Sequence, residues 1–153
     1  MVEKRLPSRT YASDMSDDDL DGGVVFQGAM APVTAFLSDE LVTLGSGATL
    51  REVAAALSQQ TVGLVVVGTA EQVGGVISER DLVRAAAEGA DLDGTTAGEW
   101  ASDRLVWGDV EATVGDVAAQ MVEGYLRHVL VGDGERLVGV VSIRDVVAAF
   151  TAM

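Results

Sequence analysis

Gly75-Val76-Ile77-Ser78-Glu79-Arg80-Asp81-Leu82-Val83 returns near the C-terminus as Gly139-Val140-Val141-Ser142-Ile143-Arg144-Asp145-Val146-Val147, 64 residues later. Each copy reads as an apolar strand running into a polar turn, Ser-x-Arg-Asp, that opens a helix. The offset holds without a gap well beyond the motif. Ala48-Thr49 falls on Ala112-Thr113, Val53-Ala54-Ala55 on Val117-Ala118-Ala119, and Val67-Gly68 on Val131-Gly132. Ser38-Asp39 and Leu41-Val42 likewise fall on Ser102-Asp103 and Leu105-Val106. An internal repeat of this kind means that the folding unit is duplicated. Two copies do not make a solenoid, so a pair of half-domains facing each other is expected.

Working outward from the motif, each copy resolves into the same series of elements. Pro32-Val33-Thr34-Ala35-Phe36-Leu37 and Thr96-Ala97-Gly98-Glu99-Trp100-Ala101 predict short helical lead-ins, with Phe36 and Trp100 on the core. Leu41-Val42-Thr43 and Leu105-Val106-Trp107 predict short strands. Thr49-Leu50-Arg51-Glu52 reads as a capping box, and Leu50, Val53, Ala54 and Leu57 recur behind it at helical spacing. Thr113 and Asp116 repeat the cap, ahead of Val114, Val117, Ala118 and Met121. Leu64-Val65-Val66-Val67 and His128-Val129-Leu130-Val131 are continuous apolar runs, the pattern of strands buried on both faces. The loops 68–72 and 132–136 make hairpins into strands 73–77 and 137–141, and the closing helices span 79–88 and 143–150. The fold class is therefore mixed, α/β (α+β): two β-α-β-β-α units, each with a lead-in helix.

Residues 1–28 show no sustained period and contain Asp17-Asp18-Asp19-Leu20-Asp21-Gly22-Gly23. They predict a disordered or loosely docked acidic arm, in which only Val24-Val25-Phe26 resembles an edge strand. The first repeat then covers 31–88, a polar linker 89–94, and the second repeat 95–150.

At 153 residues the chain can bury one ordinary core, or two small units sharing one. No apolar run approaches the roughly 20 residues of a membrane-spanning helix. Met1 to Pro7 carries positive charge with no apolar segment behind it, so a secretory signal is not expected. The absence of cysteine excludes disulfides and thiolate metal sites and fits a cytoplasmic protein. The single histidine, His128, argues against a zinc enzyme. A formal charge of −14 argues against nucleic acid and anionic membrane as partners. Solubility accounts for that charge. The near absence of lysine beside abundant aspartate leaves open adaptation to high salt, or a genome that prefers arginine codons.

The chemistry of the sequence lies in the Ser-x-Arg-Asp turns. A serine before the first turn and an acid within it cap a helix and favour its dipole. Capping does not require Arg80 or Arg144. A carboxylate at a strand end can instead accept hydrogen bonds from a vicinal diol, at about 1.5–3 kcal/mol for each bond to a charged group. An arginine beside it can hold a phosphate bidentately. From the residues alone, cap and ligand site both stand.

The element order, the hairpin and the closing strand-Ser-x-Arg-Asp-helix turn resemble a tandem pair of cystathionine β-synthase (CBS) domains, the Bateman module, over residues 31–150. The resemblance implies two repeats packed about a pseudo-twofold axis, with clefts that bind AMP, ADP, ATP or S-adenosylmethionine. By that resemblance Asp81 and Asp145 take the ribose hydroxyls, and Ser78 and Ser142 sit near ribose and phosphate, beside Arg80 and Arg144. Arg127 and His128 reach phosphate. Backbone groups around Leu64-Val65 and His128-Val129 frame the base. Thr49 and Thr113 are further lining candidates, although capping is their readier job. Gly63-Leu64 stands where the second copy has Arg127-His128, so the two sites should be unequal, the first copy's being the weaker. The acidity of the chain favours a mono- or diphosphate; ATP would bring Mg²⁺.

The function expected is a regulatory, non-catalytic module without a required cofactor. It would sense adenylates, form a homodimer through helical faces and signal to an unidentified protein. A ligand-free dimerisation scaffold is the competing reading. An enzyme is not expected: the sequence offers no nucleophile–base set and no Gly-rich phosphate loop before a lysine.

Overall fold

In the computed structural model, which describes residues 28–38, 41–60 and 62–152, the 64-residue offset of the sequence reappears as strand register. In the first repeat β1 (Thr43–Leu44) pairs in parallel with β2 (Leu64–Gly68), which pairs antiparallel with β3 (Val73–Ser78). In the second, β4 (Trp107–Gly108), β5 (His128–Gly132) and β6 (Leu137–Ser142) do the same. Thr43 opposite Val66 becomes Trp107 opposite Leu130, and Leu64 opposite Ser78 becomes His128 opposite Ser142. Between the strands lie α1 (Leu50–Gln60), α2 (Glu79–Ala87), α3 (Ala97–Trp100) and α4 (Val114–Gly124), and α5 (Ile143–Thr151) follows β6. The expected acidic arm, with Val24-Val25-Phe26, lies outside the described residues apart from Gly28.

Local chemistry accounts for where the helices start. The Thr49 N–H donates to Glu52 Oε2 at 2.9 Å while the Glu52 N–H donates to Thr49 Oγ1 at 3.1 Å. Thr113 and Asp116 repeat the exchange at 2.8 and 3.1 Å, and the Thr113 N–H holds the Asp116 carboxyl below its ordinary pKa. The capping boxes expected from the sequence are present. The first strand of each repeat sits later than expected, at 43–44 and 107–108. Leu41-Val42 and Leu105-Val106 are instead the approach to it, with the Val42 and Val106 carbonyls already accepting from the Val66 and Leu130 N–H groups of the middle strands at 2.9 and 3.0 Å.

Alternation along the middle strands divides the interior into three cores. Val65 and Val67 face the helices of the first repeat, and Val129 and Val131 those of the second. Val66 and Leu130 point the other way, into a core between the two sheets shared with Leu137 and Val140. The order is helices, sheet, sheet, helices. Because both faces of β2 and β5 are covered, their sequences are continuous apolar runs.

The lead-in segments cross over. Val33, fully buried in the 3-10 turn Val33–Phe36, packs with Val114, Val117 and Val141 of the second repeat, beside Phe36 and Leu37. Ala97 and Trp100 of α3 pack in the core of the first repeat. Each chain crossing hydrogen-bonds to the other repeat's last strand. The Ser38 N–H donates to the Val140 carbonyl at 2.8 Å, and Val76 and Ser102 exchange bonds at 2.9 and 3.0 Å. This crossing explains the glycine that opens each copy of the repeated stretch. A Cβ on Gly75 would stand 2.8 Å from the Ala101 Cβ, and one on Gly139 2.8 Å from Leu37 Cδ1. The expected linker, 89–94, is also folded onto the first repeat. Ala90 and Leu92 pack on its core, and the Arg51 Nε donates to Asp93 Oδ1 at 2.5 Å.

Candidate functional site

Where the paired sheets meet the starts of α2 and α5, two clefts open. The strand alternation that buries Val65 and Val129 points their neighbours Leu64 and His128 toward the opposite sheet, and both of these line both clefts. One cleft, of about 230 Å³, joins Ser78, Arg80 and Asp81 of the first repeat to Arg104 and Tyr125–His128 of the second. The other, of about 440 Å³, joins Ser142, Arg144 and Asp145 of the second repeat to Ser38, Gln60 and Gly63 of the first. Every cleft is therefore made by both repeats.

The geometry of the Ser-x-Arg-Asp turns shows how one aspartate serves the helix without being used up by it. At α5, Asp145 Oδ2 accepts from the Ser142 N–H at 2.7 Å and the Ser142 hydroxyl at 2.8 Å, while the Asp145 N–H donates to Ser142 Oγ at 3.2 Å. The Ser38 hydroxyl, carried in by the crossing lead-in, donates to the same Oδ2 at 2.6 Å. At α2, Asp81 Oδ2 accepts from the Ser78 N–H at 2.8 Å and its hydroxyl at 3.0 Å. Every bond that either carboxylate accepts here falls on its Oδ2. Oδ1 of Asp145 has no partner among the described residues, and Oδ1 of Asp81 lies 3.6 Å from Arg84 Nη2. Arg84 in turn sits 5.1 Å over the Trp100 ring. Its counterpart in the second repeat is Ala148, so only Asp81 has this neighbour.

Several expected site residues are placed differently. Thr49 and Thr113 line neither cleft; their hydroxyls cap α1 and α4. Val65 and Val129, expected to act through their backbone groups, have their side chains buried in the two helix-facing cores, 0 and 1 % exposed. The inequality of the copies is also inverted. Gly63 faces Asp145, and Arg127 faces Asp81, because each cleft draws its strand start from one repeat and its helix start from the other. The first copy's aspartate thus has the arginine-rich partner. Gly63 has a steric reason of its own: a Cβ there would stand 2.7 Å from His128 Cε1. The His128 ring rests on that glycine, half-buried, and burial first and Arg127 second lower its pKa from 6.5. It is held toward the neutral form, which weakens it as a cationic phosphate contact.

Ser38, Ser102, Arg104 and Tyr125 are cleft residues that the motif did not announce. Ser38 and Ser102 had a signal, since both fall on the repeat offset. Tyr125 caps α4 in the left-handed region at φ 53°, with its N–H on the Met121 carbonyl, and is 82 % exposed. A bulky residue at such a φ is uncommon. Among the described residues, no group of three or more His, Cys, Asp or Glu is placed to hold a metal, and no helix is long and apolar enough to cross a membrane.

A CBS-domain family model matches residues 33–88 and again 97–152. The chain belongs to the CBS-domain family. It is similar to Hypoxic response protein 1 of Mycobacterium tuberculosis, 31% identical over 105 residues, covering 67% of this chain and 73% of that protein. A solved CBS-domain protein from Pyrobaculum aerophilum, complexed with AMP, is 34% identical with a TM-score of 0.68, over 78% of this chain and 98% of that one. The crystal structure of Hypoxic Response Protein I with two coordinated zinc ions is 26% identical with a TM-score of 0.66, over 77% and 98%. The tandem CBS pair expected from the repeat, and its mixed α and β fold, are thus established.

Proposed function

We propose that this CBS pair is a regulatory binding module that takes an adenosine-containing nucleotide in its inter-repeat clefts and signals occupancy to a separate protein. The observation that carries the reading is the division of labour at Asp145: Oδ2 caps the helix, and Oδ1 remains for a ribose diol. An ionised carboxylate is an acceptor only, with sites on both oxygens, so a diol can be held without breaking the cap. The AMP bound by the similar Pyrobaculum protein supports the choice of an adenosine ligand. Because each cleft is lined by both repeats, a ligand there would bridge them and favour the arrangement it fits best, which is the basis of a signal. AMP, ADP, ATP (with Mg²⁺) and S-adenosylmethionine are the ligands to test.

The role is binding rather than catalysis. The sequence offers no nucleophile–base set and no Gly-rich phosphate loop before a lysine. The active form is a homodimer joined through α2 and α5, whose Val83, Ile143 and Val147 are exposed apolar side chains.

Isothermal titration of the wild type against the four ligands, and of an Asp81→Asn/Asp145→Asn double variant, tests the reading. Asparagine keeps an acceptor for the cap while removing the charge. Binding by the wild type and a loss of roughly tenfold or more in the variant is the expected result. Equal affinities would remove the aspartates from the site. Silence with all four ligands, together with a stable dimer, would leave the scaffold reading.

A further inference from the structure

We infer that the two clefts differ in the ligand charge they accept: Arg80, Arg104 and Arg127 make the Asp81 cleft a polyphosphate site, whereas the Asp145 cleft takes a monophosphate or an uncharged ligand. This rests on the adenosine reading above and assigns phosphate number within it.

The chain holds ten lysines and arginines, of which Lys4, Arg5 and Arg9 lie outside the described residues. Of the remaining seven, three line the Asp81 cleft and Arg144 alone lines the other. Among the described residues each cleft has one carboxylate in its lining, Asp81 or Asp145. The formal balance is three cations to one anion on one side and one to one on the other. Moreover, Asp81 already has Arg84 within 3.6 Å, whereas Asp145 has no ion-pair partner among the described residues.

The three arginines reach the cleft from separate parts of the chain. Arg80 comes from the first turn of α2, Arg104 from the approach to β4, and Arg127 from the residue before β5. Among the described residues none of them has a carboxylate within ion-pair distance. By contrast, Arg51 and Arg84 do have such partners. In a molecule of charge −14, three guanidinium groups at one opening, without an ion-pair partner among the described residues, concentrate positive charge there. Guanidinium forks match phosphate oxygens bidentately, so each added phosphate finds a partner instead of repulsion. The enclosed volume, about 230 Å³, is below the usual range of ligand pockets. A nucleoside seated there would carry its phosphates out along the exposed arginines.

The experiment is titration of the wild type, Arg104→Gln and Arg104→Gln/Arg127→Gln with AMP, ADP, ATP and inorganic tripolyphosphate at low and physiological salt. Both positions are exposed, and thermal melts confirm folding of the variants. In the wild type one class of sites should gain affinity from AMP to ATP, and tripolyphosphate should compete with ATP at that class alone. Removing Arg104 should cut ATP affinity roughly tenfold and AMP affinity much less, with the double variant losing more. ATP and AMP binding that class equally, or an unchanged ATP-to-AMP ratio in the double variant, overturns the inference while leaving adenosine binding intact. Tripolyphosphate binding without any nucleotide binding keeps the anion site and sinks the adenosine reading. Silence toward all four probes overturns both.

Discussion

His128 stands at the junction of the two clefts, and its protonation reports on the packing there. Burial lowers its pKa from 6.5 and the Arg127 charge adds to the shift, while Glu79 and Asp145 oppose it. A base whose folded pKa lies below its unfolded value binds more protons when unfolded. Its contribution to stability is therefore complete above about pH 6.5 and is lost as the pH falls from there toward the folded pKa. Urea midpoints should drop between about pH 7.5 and about pH 5.5, and His128→Gln should lessen that drop. An identical decline in both proteins would mean that the ring is no more buried in solution than in the unfolded chain. The sequence announced His128 as a strand-opening basic residue. It did not announce that Gly63, 65 positions earlier, lies under the ring.

Among the elements, the exchanged lead-ins set the architecture of the clefts. Val33 is fully buried, yet it belongs to the core of the repeat that follows it by 64 residues and not to its own. Val33→Ala removes two methyl groups from that core, a loss of about 1–3 kcal/mol. Native-state hydrogen exchange should register the loss in α4 and β5 more than in α1 and β2. The reverse order would contradict the crossing. The same crossing delivers the Ser38 hydroxyl to Asp145, so perturbing the lead-in also touches a cleft. Capping was legible in the sequence because Thr49-x-x-Glu52 and Thr113-x-x-Asp116 act within four residues. The late start of β1 and β4 was not, since a two-residue strand exists only by pairing with its neighbour.

For the molecule as a whole, charge and exposed apolar surface pull in opposite directions. Val83 is 69 % exposed and its repeat counterpart Val147 55 %, an apolar feature that the duplication places on both closing helices. Joining two chains of charge −14 brings like charges together, an effect that salt screens over about 8 Å at physiological strength. Sedimentation should show a dimer that tightens as salt rises, and Val83→Glu with Val147→Glu should yield monomers. A monomeric wild type across that salt range would refute the dimer.

The sequence by itself determined the duplication, the order and near-bounds of the elements, the caps, and which strands are covered on both faces. These depend on periodicity and on contacts between residues close in the chain. Only the tertiary structure decided which repeat each lead-in covers and which strand start meets which aspartate. Two copies with the same apolar pattern present nearly equivalent surfaces, so periodicity cannot distinguish a segment's own core from its twin's. The choice is made by how the chain crosses Gly75 and Gly139, where a side chain would block the passage.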